Sequence, residues 1–132
     1  MILVDTNVFL DIATRDPEWY DWSSSALAHA ADRNVACINP IIYAEVSLAF
    51  DSIERLDTAL PPDLYQRRPL PYAAGFLTGR AFADYRRRGG TKTTPLPDFY
   101  IGAHAAVEGL DLLTRDSRGY RTYFPTVRLI AP

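Results

Sequence analysis

Four carboxylates, Asp5, Glu45, Asp98 and Asp116, occupy positions from which folding can bring them to one point. Asp5 and Asp116 follow the apolar runs Met1 to Val4 and Leu110 to Thr114. Asp98 heads the apolar stretch Phe99-Tyr100-Ile101-Gly102-Ala103, directly after Pro97. Glu45 is the most informative of the four, because at helical spacing its neighbours are Ile41, Ile42, Leu48 and Ala49. A charge set in such a stripe must be paired, protonated or bound to a cation, since an unpaired buried charge is costly. The stripe has no basic residue beside it in sequence, so the plainer alternative is an ion pair with a distant arginine. Taken singly, the other three also have plain readings: Asp98 as a helix cap, Asp5 and Asp116 as turn formers. Taken together they point elsewhere. Two unit charges about 4 Å apart repel by roughly 4 kcal/mol at an effective dielectric of ~20. Four carboxylates sharing a pocket therefore need a cation. An all-oxygen donor set selects a hard ion, Mg²⁺ or Mn²⁺, and the lack of a Cys/His cluster argues against structural zinc. His29 and His104 lie far apart on predicted helices and are not expected to be ligands. The lone Cys37, inside the apolar run Val35 to Ile38, reads as a small buried hydrophobe.

The elements that must carry these acids follow from the pattern of the chain. Met1 to Val4 reads as a buried strand ending in the polar turn Asp5-Thr6-Asn7, with a short helix to about Thr14. Asp16-Pro17 opens a longer helix, with Trp19, Trp22, Ala26 and Ala30 along one face as core or as a partner surface. Val35 to Asn39 is a second strand, and Pro40 starts a helix running to about Asp51. Another helix covers roughly Ser52 to Leu60, and the Pro- and Arg-rich segment Pro61 to Pro71 reads as a loop. A long helix then runs to about Arg88 and stops at Gly89-Gly90. Asp98 is expected to cap a helix reaching Gly109, followed by a strand over Leu110 to Thr114. Arg115 to Tyr123 reads as a loop with helical turns, and Thr126 to Ile130 as a last strand. Short apolar strands alternating with helices predict an α/β fold with a parallel sheet covered on both faces. Ligands of such sheets bind outside the carboxyl ends of the strands, where Asp5 and Asp116 emerge. Glu45 and Asp98 are expected near the starts of helices packed over that edge.

Composition sets the limits. A chain of 132 residues, 48% hydrophobic and 23% charged, suits one globular domain spanning 1–132. No stretch is long and apolar enough to span a bilayer and the amino terminus lacks a signal-peptide pattern, so a cytoplasmic protein without membrane contact is expected. A net charge of -2 argues against simple electrostatic coating of nucleic acid. The positive charge is local: Arg86, Arg87, Arg88 and Lys92 form a basic run suited to RNA phosphates, or equally to a helix carboxyl end favoured by the macrodipole.

Leu3-Val4-Asp5-Thr6-Asn7-Val8, Pro40-Ile41-Ile42-Tyr43-Ala44-Glu45-Val46, Leu96 to Ala105 and Leu113-Thr114-Arg115-Asp116 resemble, in order and spacing, the four blocks of the PIN-domain family. The likeness is nearest to its VapC-type branch, the ribonuclease halves of toxin–antitoxin pairs. It implies a three-layer α/β/α sandwich around a mostly parallel sheet, with Mg²⁺ or Mn²⁺ in the acidic pocket and RNA as the substrate. It also implies a cognate antitoxin and a homodimer, for which Trp19, Trp22, Tyr43 and Phe50 are candidate surfaces if they are not core. Carried over by position, Asp5, Glu45, Asp98 and Asp116 are the acidic residues. Thr6, Asn7 and Thr114 stand beside them to orient the acids or the ion's water ligands. Asp5 and Asp98 are the expected direct ligands, with Glu45 and Asp116 acting through water or as base. Two other classes compete. A Mg²⁺-dependent phosphatase would use Asp5 as nucleophile, but such enzymes carry an Asp-x-Asp pattern and position 7 is Asn. A PIN-like module that binds RNA or protein without cutting would not need all four acids.

Overall fold

The short apolar runs become the inner strands of a five-stranded parallel sheet in the computed structural model, which describes residues 1–33 and 35–132. β1 (Ile2–Val4) lies at the centre, between β2 (Ala36–Ile38) and β4 (Asp111–Leu113). β3 (Gln66–Arg67) and β5 (Leu129–Ile130) are the edges, in the order β3-β2-β1-β4-β5. Leu3 pairs in register with Cys37 on one side and with Leu112 on the other. Successive strand residues point to opposite faces, and Leu3, Val4, Leu112 and Leu113 are all at most 1% exposed. Both faces are therefore covered, which gives the helix–sheet–helix sandwich expected of an α/β chain.

Among the described residues seven helices accompany the sheet: α1 (Thr6–Ala13), α2 (Tyr20–Asp32), α3 (Pro40–Val46), α4 (Ile53–Ala59), α5 (Tyr72–Arg87), α6 (Pro97–Glu108) and α7 (Arg118–Tyr123). Their ends are set by local chemistry. Asn39 Oδ1 accepts from the Ile42 amide at 2.9 Å ahead of Pro40 at the first turn of α3. Ser52 Oγ does the same for Arg55 at 3.2 Å in α4. Gly109 closes α6 at φ 65°, a left-handed conformation in which glycine carries no Cβ penalty. Gly102, in the middle of α6, lies where a Cβ would strike the ring of Phe124. That close approach lets α6 settle against the chain after α7, and Phe99 at its start packs edge-on to Tyr85, Tyr123 and Phe124. Such aromatic pairs add about 0.5–1.5 kcal/mol each beyond burial. They lock together two supports of the site: α6, which carries Asp98, and α7. No helix among the described residues is long and apolar enough to cross a membrane.

Several boundaries differ from expectation for identifiable reasons. Asp16 does cap, taking the Glu18 and Trp19 amides at 2.9 Å each, but regular α-helix begins only at Tyr20, after a turn through Pro17. The helix begun at Pro40 stops at Val46 and tightens into a 3₁₀ turn over Ser47–Ala49, so Leu48 is 88% exposed and the apolar stripe around Glu45 is only half real. Residues 61–71 hold β3, an exposed two-residue edge strand that hydropathy has no means of revealing. Asp98 is not the cap of α6. That position belongs to Leu96, with Pro97 first in the helix and Asp98 second. Cys37 is buried as expected, and burial pushes its thiol up to about 11. Trp22, Tyr43 and Phe50 pack partly buried against the core, while Trp19 meets Trp22 edge-on at 6.5 Å.

Candidate active site

The strand order creates the site. From β1 the chain moves toward one edge of the sheet and from β4 toward the other, so a crevice opens at the carboxyl ends of these two neighbours. Asp5 follows β1 and Asp116 follows β4. The Asp5 amide donates to the Leu113 carbonyl at 2.8 Å, which fixes the spacing between the two strand ends.

Asp5 is 3% exposed and saturated with donors. Its Oδ1 accepts from the Thr6 amide at 2.7 Å, making Asp5 the cap of α1. Its Oδ2 accepts from Thr114 Oγ1 at 2.8 Å, Tyr120 OH at 2.9 Å and Asn7 Nδ2 at 3.3 Å. Burial, and then the charge of Asp98, raise its ionisation from 3.8 to about 6, even though the bonds from Thr114, Tyr120 and Thr6 favour the anion. Thr114 is shared: its Oγ1 also receives the Asp116 amide at 3.1 Å and Asn7 Nδ2 at 3.2 Å. Thr6 reaches the other way, donating to Glu45 Oε1 at 2.7 Å, and so ties α1 to α3. Glu45 sits half-buried near the end of α3 rather than near its start, and makes no ion pair among the described residues. Asp98 lies exposed on α6, yet its carboxyl has lost part of its hydration to the surrounding protein. That loss, followed by the charges of Glu45 and Asp116, raises its ionisation. Thr6 thus links Asp5 to Glu45, Thr114 links Asp5 to Asp116, and Asp98 lies within electrostatic reach of Asp5, Glu45 and Asp116.

Tyr120, on α7, is not evident from the sequence. It is 3% exposed and donates to Asp5 Oδ2 at 2.9 Å. Burial and the charges of Asp5 and Asp98 hold its ionisation well above the tyrosine value, so it remains a donor. A Tyr inside an expected loop carries no periodic signal. Asp11 escapes a sequence reading as well. It is buried at 2% exposure and accepts from Arg115 Nε at 2.9 and 3.1 Å and from Ser23 at 2.8 Å, which pins the segment between Thr114 and Asp116 onto α1 and α2.

The basic run lies at and just beyond the end of α5. Arg87 and Arg88 pair with Asp84 at 3.5 and 3.0 Å, and Arg86 donates to the Lys92 carbonyl at 2.7 Å. His104 is wholly buried between Asn39 and Glu108, in a structural role, and His29 is exposed on α2.

In its chemistry the acidic set fits a hard divalent cation. It is all oxygen, and two members are pushed toward protonation, first by loss of water and then by neighbouring carboxylates: Asp98 for Asp5, Glu45 and Asp116 for Asp98. Among the described residues no three His, Cys, Asp or Glu side chains close into a ready-made cation cage. The acids stand within electrostatic reach of one another without converging on one point.

The model of the PIN domain family matches residues 2–125. The chain belongs to the PIN-domain family. No curated protein matches it in sequence. Among solved structures it is similar to VapBC2 from Rickettsia felis bound to a promoter DNA fragment, at 20% identity and a TM-score of 0.74, covering 100% of this chain and 99% of that one. It is also similar to DNA-bound VapBC from Salmonella typhimurium, at 21% identity and 0.70, covering 98% and 96%. A toxin-antitoxin complex from Klebsiella pneumoniae aligns at 21% identity and 0.64, covering 96% and 95%. At these identities the likeness establishes the PIN fold.

Proposed function

We propose that this PIN-domain chain is a divalent-cation-dependent endoribonuclease and the toxin half of a toxin–antitoxin pair. The observation that supports it most is the mutual electrostatic reach of Asp5, Glu45, Asp98 and Asp116, with Asp5, after β1, held by Asn7, Thr114 and Tyr120. Asp5 and Asp98 would hold Mg²⁺ or Mn²⁺, which on binding acidifies a water for attack on the scissile phosphate and offsets charge on the leaving oxygen. The chain's own residues do the rest. Thr114 and Asn7 fix the Asp5 carboxylate. Thr6 aims Glu45, which in this reading would accept a proton from the attacking water, and Asp116 would complete the negative wall. The phosphatase alternative loses ground, since a carboxylate with four donors on it is a poor nucleophile and Asn7 spends its amide on Asp5 and Thr114. The similarity to solved toxin–antitoxin complexes supports a cognate antitoxin, and a homodimer and work in the cytoplasm belong to the same proposal.

The test is direct. The purified chain is incubated with labelled single-stranded RNA and the matching DNA, with Mg²⁺, Mn²⁺ or excess EDTA. Internal cuts in RNA that need the ion are expected. RNA bound but never cut with either ion would leave a binding module instead. Co-expression with a small antitoxin, where one is encoded beside it, should suppress the cutting.

The basic run has its own measurable consequence. If Arg86, Arg87, Arg88 and Lys92 face the RNA backbone, changing all four to Gln flattens the slope of log K against log salt by about 0.7 for each phosphate that is no longer neutralised. An unchanged slope assigns them to closing the end of α5, as their bonds to Asp84 and the Lys92 carbonyl already do.

A further inference from the structure

We infer that the cavity at the carboxyl ends of β2 and β3 is a base-binding subsite, which takes a guanine of single-stranded RNA beside the crevice. The inference deepens the ribonuclease reading above and rests on its choice of RNA as the ligand. The cavity holds about 260 Å³, below the roughly 300 Å³ at which sites for drug-sized ligands begin, and so suits a single planar base. Its floor is apolar, from Ile38, Pro40 and Pro69, and its polar wall is Tyr43, Arg67 and Arg68. Leu3 pairs in register with Cys37, so Asn39 leaves β2 one strand along from Asp5 at the same end of the sheet. α3 begins at the cavity with Pro40 and carries Glu45, which Thr6 holds to the start of α1. An RNA strand with one base in the cavity therefore brings its adjoining backbone toward the acids.

Unpaired RNA bases are recognised by stacking on aromatic rings or on the planes of guanidinium groups. Here the two are already assembled. The Arg67 guanidinium lies over the Tyr43 ring at 5.1 Å, and its Nη2 is held by Asp57 at 2.8 Å and the Leu60 carbonyl at 3.2 Å. Tyr43 is fixed in turn by its own bond to Asp57 at 2.8 Å. Among the described residues Nε and Nη1 of Arg67 take no partner, and neither does Nη2 of Arg68, which spends Nε on Glu108 and Nη1 on Gln66. No carboxylate lines the cavity, and Asn39 is spent, its Oδ1 on the Ile42 amide and its Nδ2 on His104. The wall thus offers donors and no carboxylate or amide acceptor. Guanine meets donors with O6 and N7, the pair that a guanidinium fork matches, whereas the amino groups of adenine and cytosine would face donors of like kind. Uracil offers O4 alone on the same edge.

Short uridine oligoribonucleotides carrying one central guanosine, adenosine or cytidine are titrated with the full chain in EDTA and followed by fluorescence anisotropy, so that only binding is read. The guanosine oligonucleotide is expected to bind at least about tenfold more tightly than the other two, the discrimination of one good bidentate contact. Arg67→Lys keeps the charge opposite Asp57 but loses the fork, and should bring that preference within about twofold. Arg67 is exposed, so this variant is expected to fold. Tyr43→Phe keeps the ring and should keep the preference. Equal affinity for the guanosine and adenosine oligonucleotides, no measurable binding of the guanosine one, or a preference that survives Arg67→Lys overturns the inference. Cleavage of the same oligonucleotides with Mg²⁺ or Mn²⁺ would in that case leave the nuclease reading intact. A guanosine preference in EDTA with no cut under either ion upholds the subsite and ends the nuclease reading. A cavity closed by a second copy of the chain would show no preference, and Arg67→Glu would then shift sedimentation toward the monomer, which overturns the inference as well.

Discussion

Asp5→Asn is expected to abolish cation-dependent RNA cleavage and, with no divalent ion present, to make the protein more stable. The two effects have one cause. Asp5 ionises near 3.8 when free and at about 6 in the folded chain, because burial and then Asp98 disfavour its charge. The folded state therefore holds a proton that the unfolded chain has released across roughly pH 4 to 6. Stability must fall as pH rises through that window. Above it the penalty is complete, at about 3 kcal/mol for a rise of some two pH units. Asparagine carries no charge and still caps α1, so most of that amount returns at neutral pH, less the cost of donors left facing its amide nitrogen. Thermal unfolding in EDTA should show the variant melting several degrees higher at pH 7, with the gap closing toward pH 4. Added Mg²⁺ should raise the melting temperature of the native chain and leave that of the variant almost unmoved. Near-normal cleavage by Asp5→Asn would remove this residue from the mechanism.

The second large effect lies away from the crevice. His104→Ala should cost about 3 kcal/mol or more and weaken cleavage as well. The ring is fully buried. Asn39 uses Oδ1 to cap α3 and turns its amide to His104 Nδ1 at 3.0 Å, so the hydrogen-bond network places the ring proton on Nε2, which faces Glu108 Oε1 at 2.7 Å. Burial works against the Glu108 anion, but the hydrogen bond from His104 and the hydrogen bond and charge of Arg68 outweigh it and hold its ionisation below the ordinary range. Truncating the ring leaves a hole and an Asn39 amide with no partner, at the head of the helix that carries Glu45. A double-mutant cycle with Asn39→Ala in urea should give a coupling of about 0.5–3 kcal/mol. A cost below about 1 kcal/mol would mean that α3 is held by other interactions.

Much of the fold and the site is legible in the residue order, and what is not has a physical reason. The apolar runs before Asp5 and Asp116 form adjacent strands, because a fully buried parallel sheet demands continuous hydrophobic segments. The capping reading of Asp98 fails, because Pro97 takes the first helical position and shifts the cap to Leu96. Its carboxylate is spared for the crevice as a result. Glu45 reads from its neighbours as more deeply buried than it is, since the 3₁₀ turn after Val46 carries Leu48 outward. Tyr120, Asp11 and His104 are out of reach for another reason. Each gains its role from partners on other elements, such as Asp5 for Tyr120 and Arg115 for Asp11, and hydrophobic period does not encode such meetings.

The outermost rung of the sheet, Gln66–Arg67, has a consequence for how the protein survives its own synthesis. A nascent or crowded chain tends to recruit foreign strands along any long, flat, greasy border. Here that border is two residues long, polar, and flanked by prolines, with Arg67 drawn aside to Asp57. It offers almost no template for amyloid-like stacking, so the protein should tolerate high local concentration without growing fibres from that side.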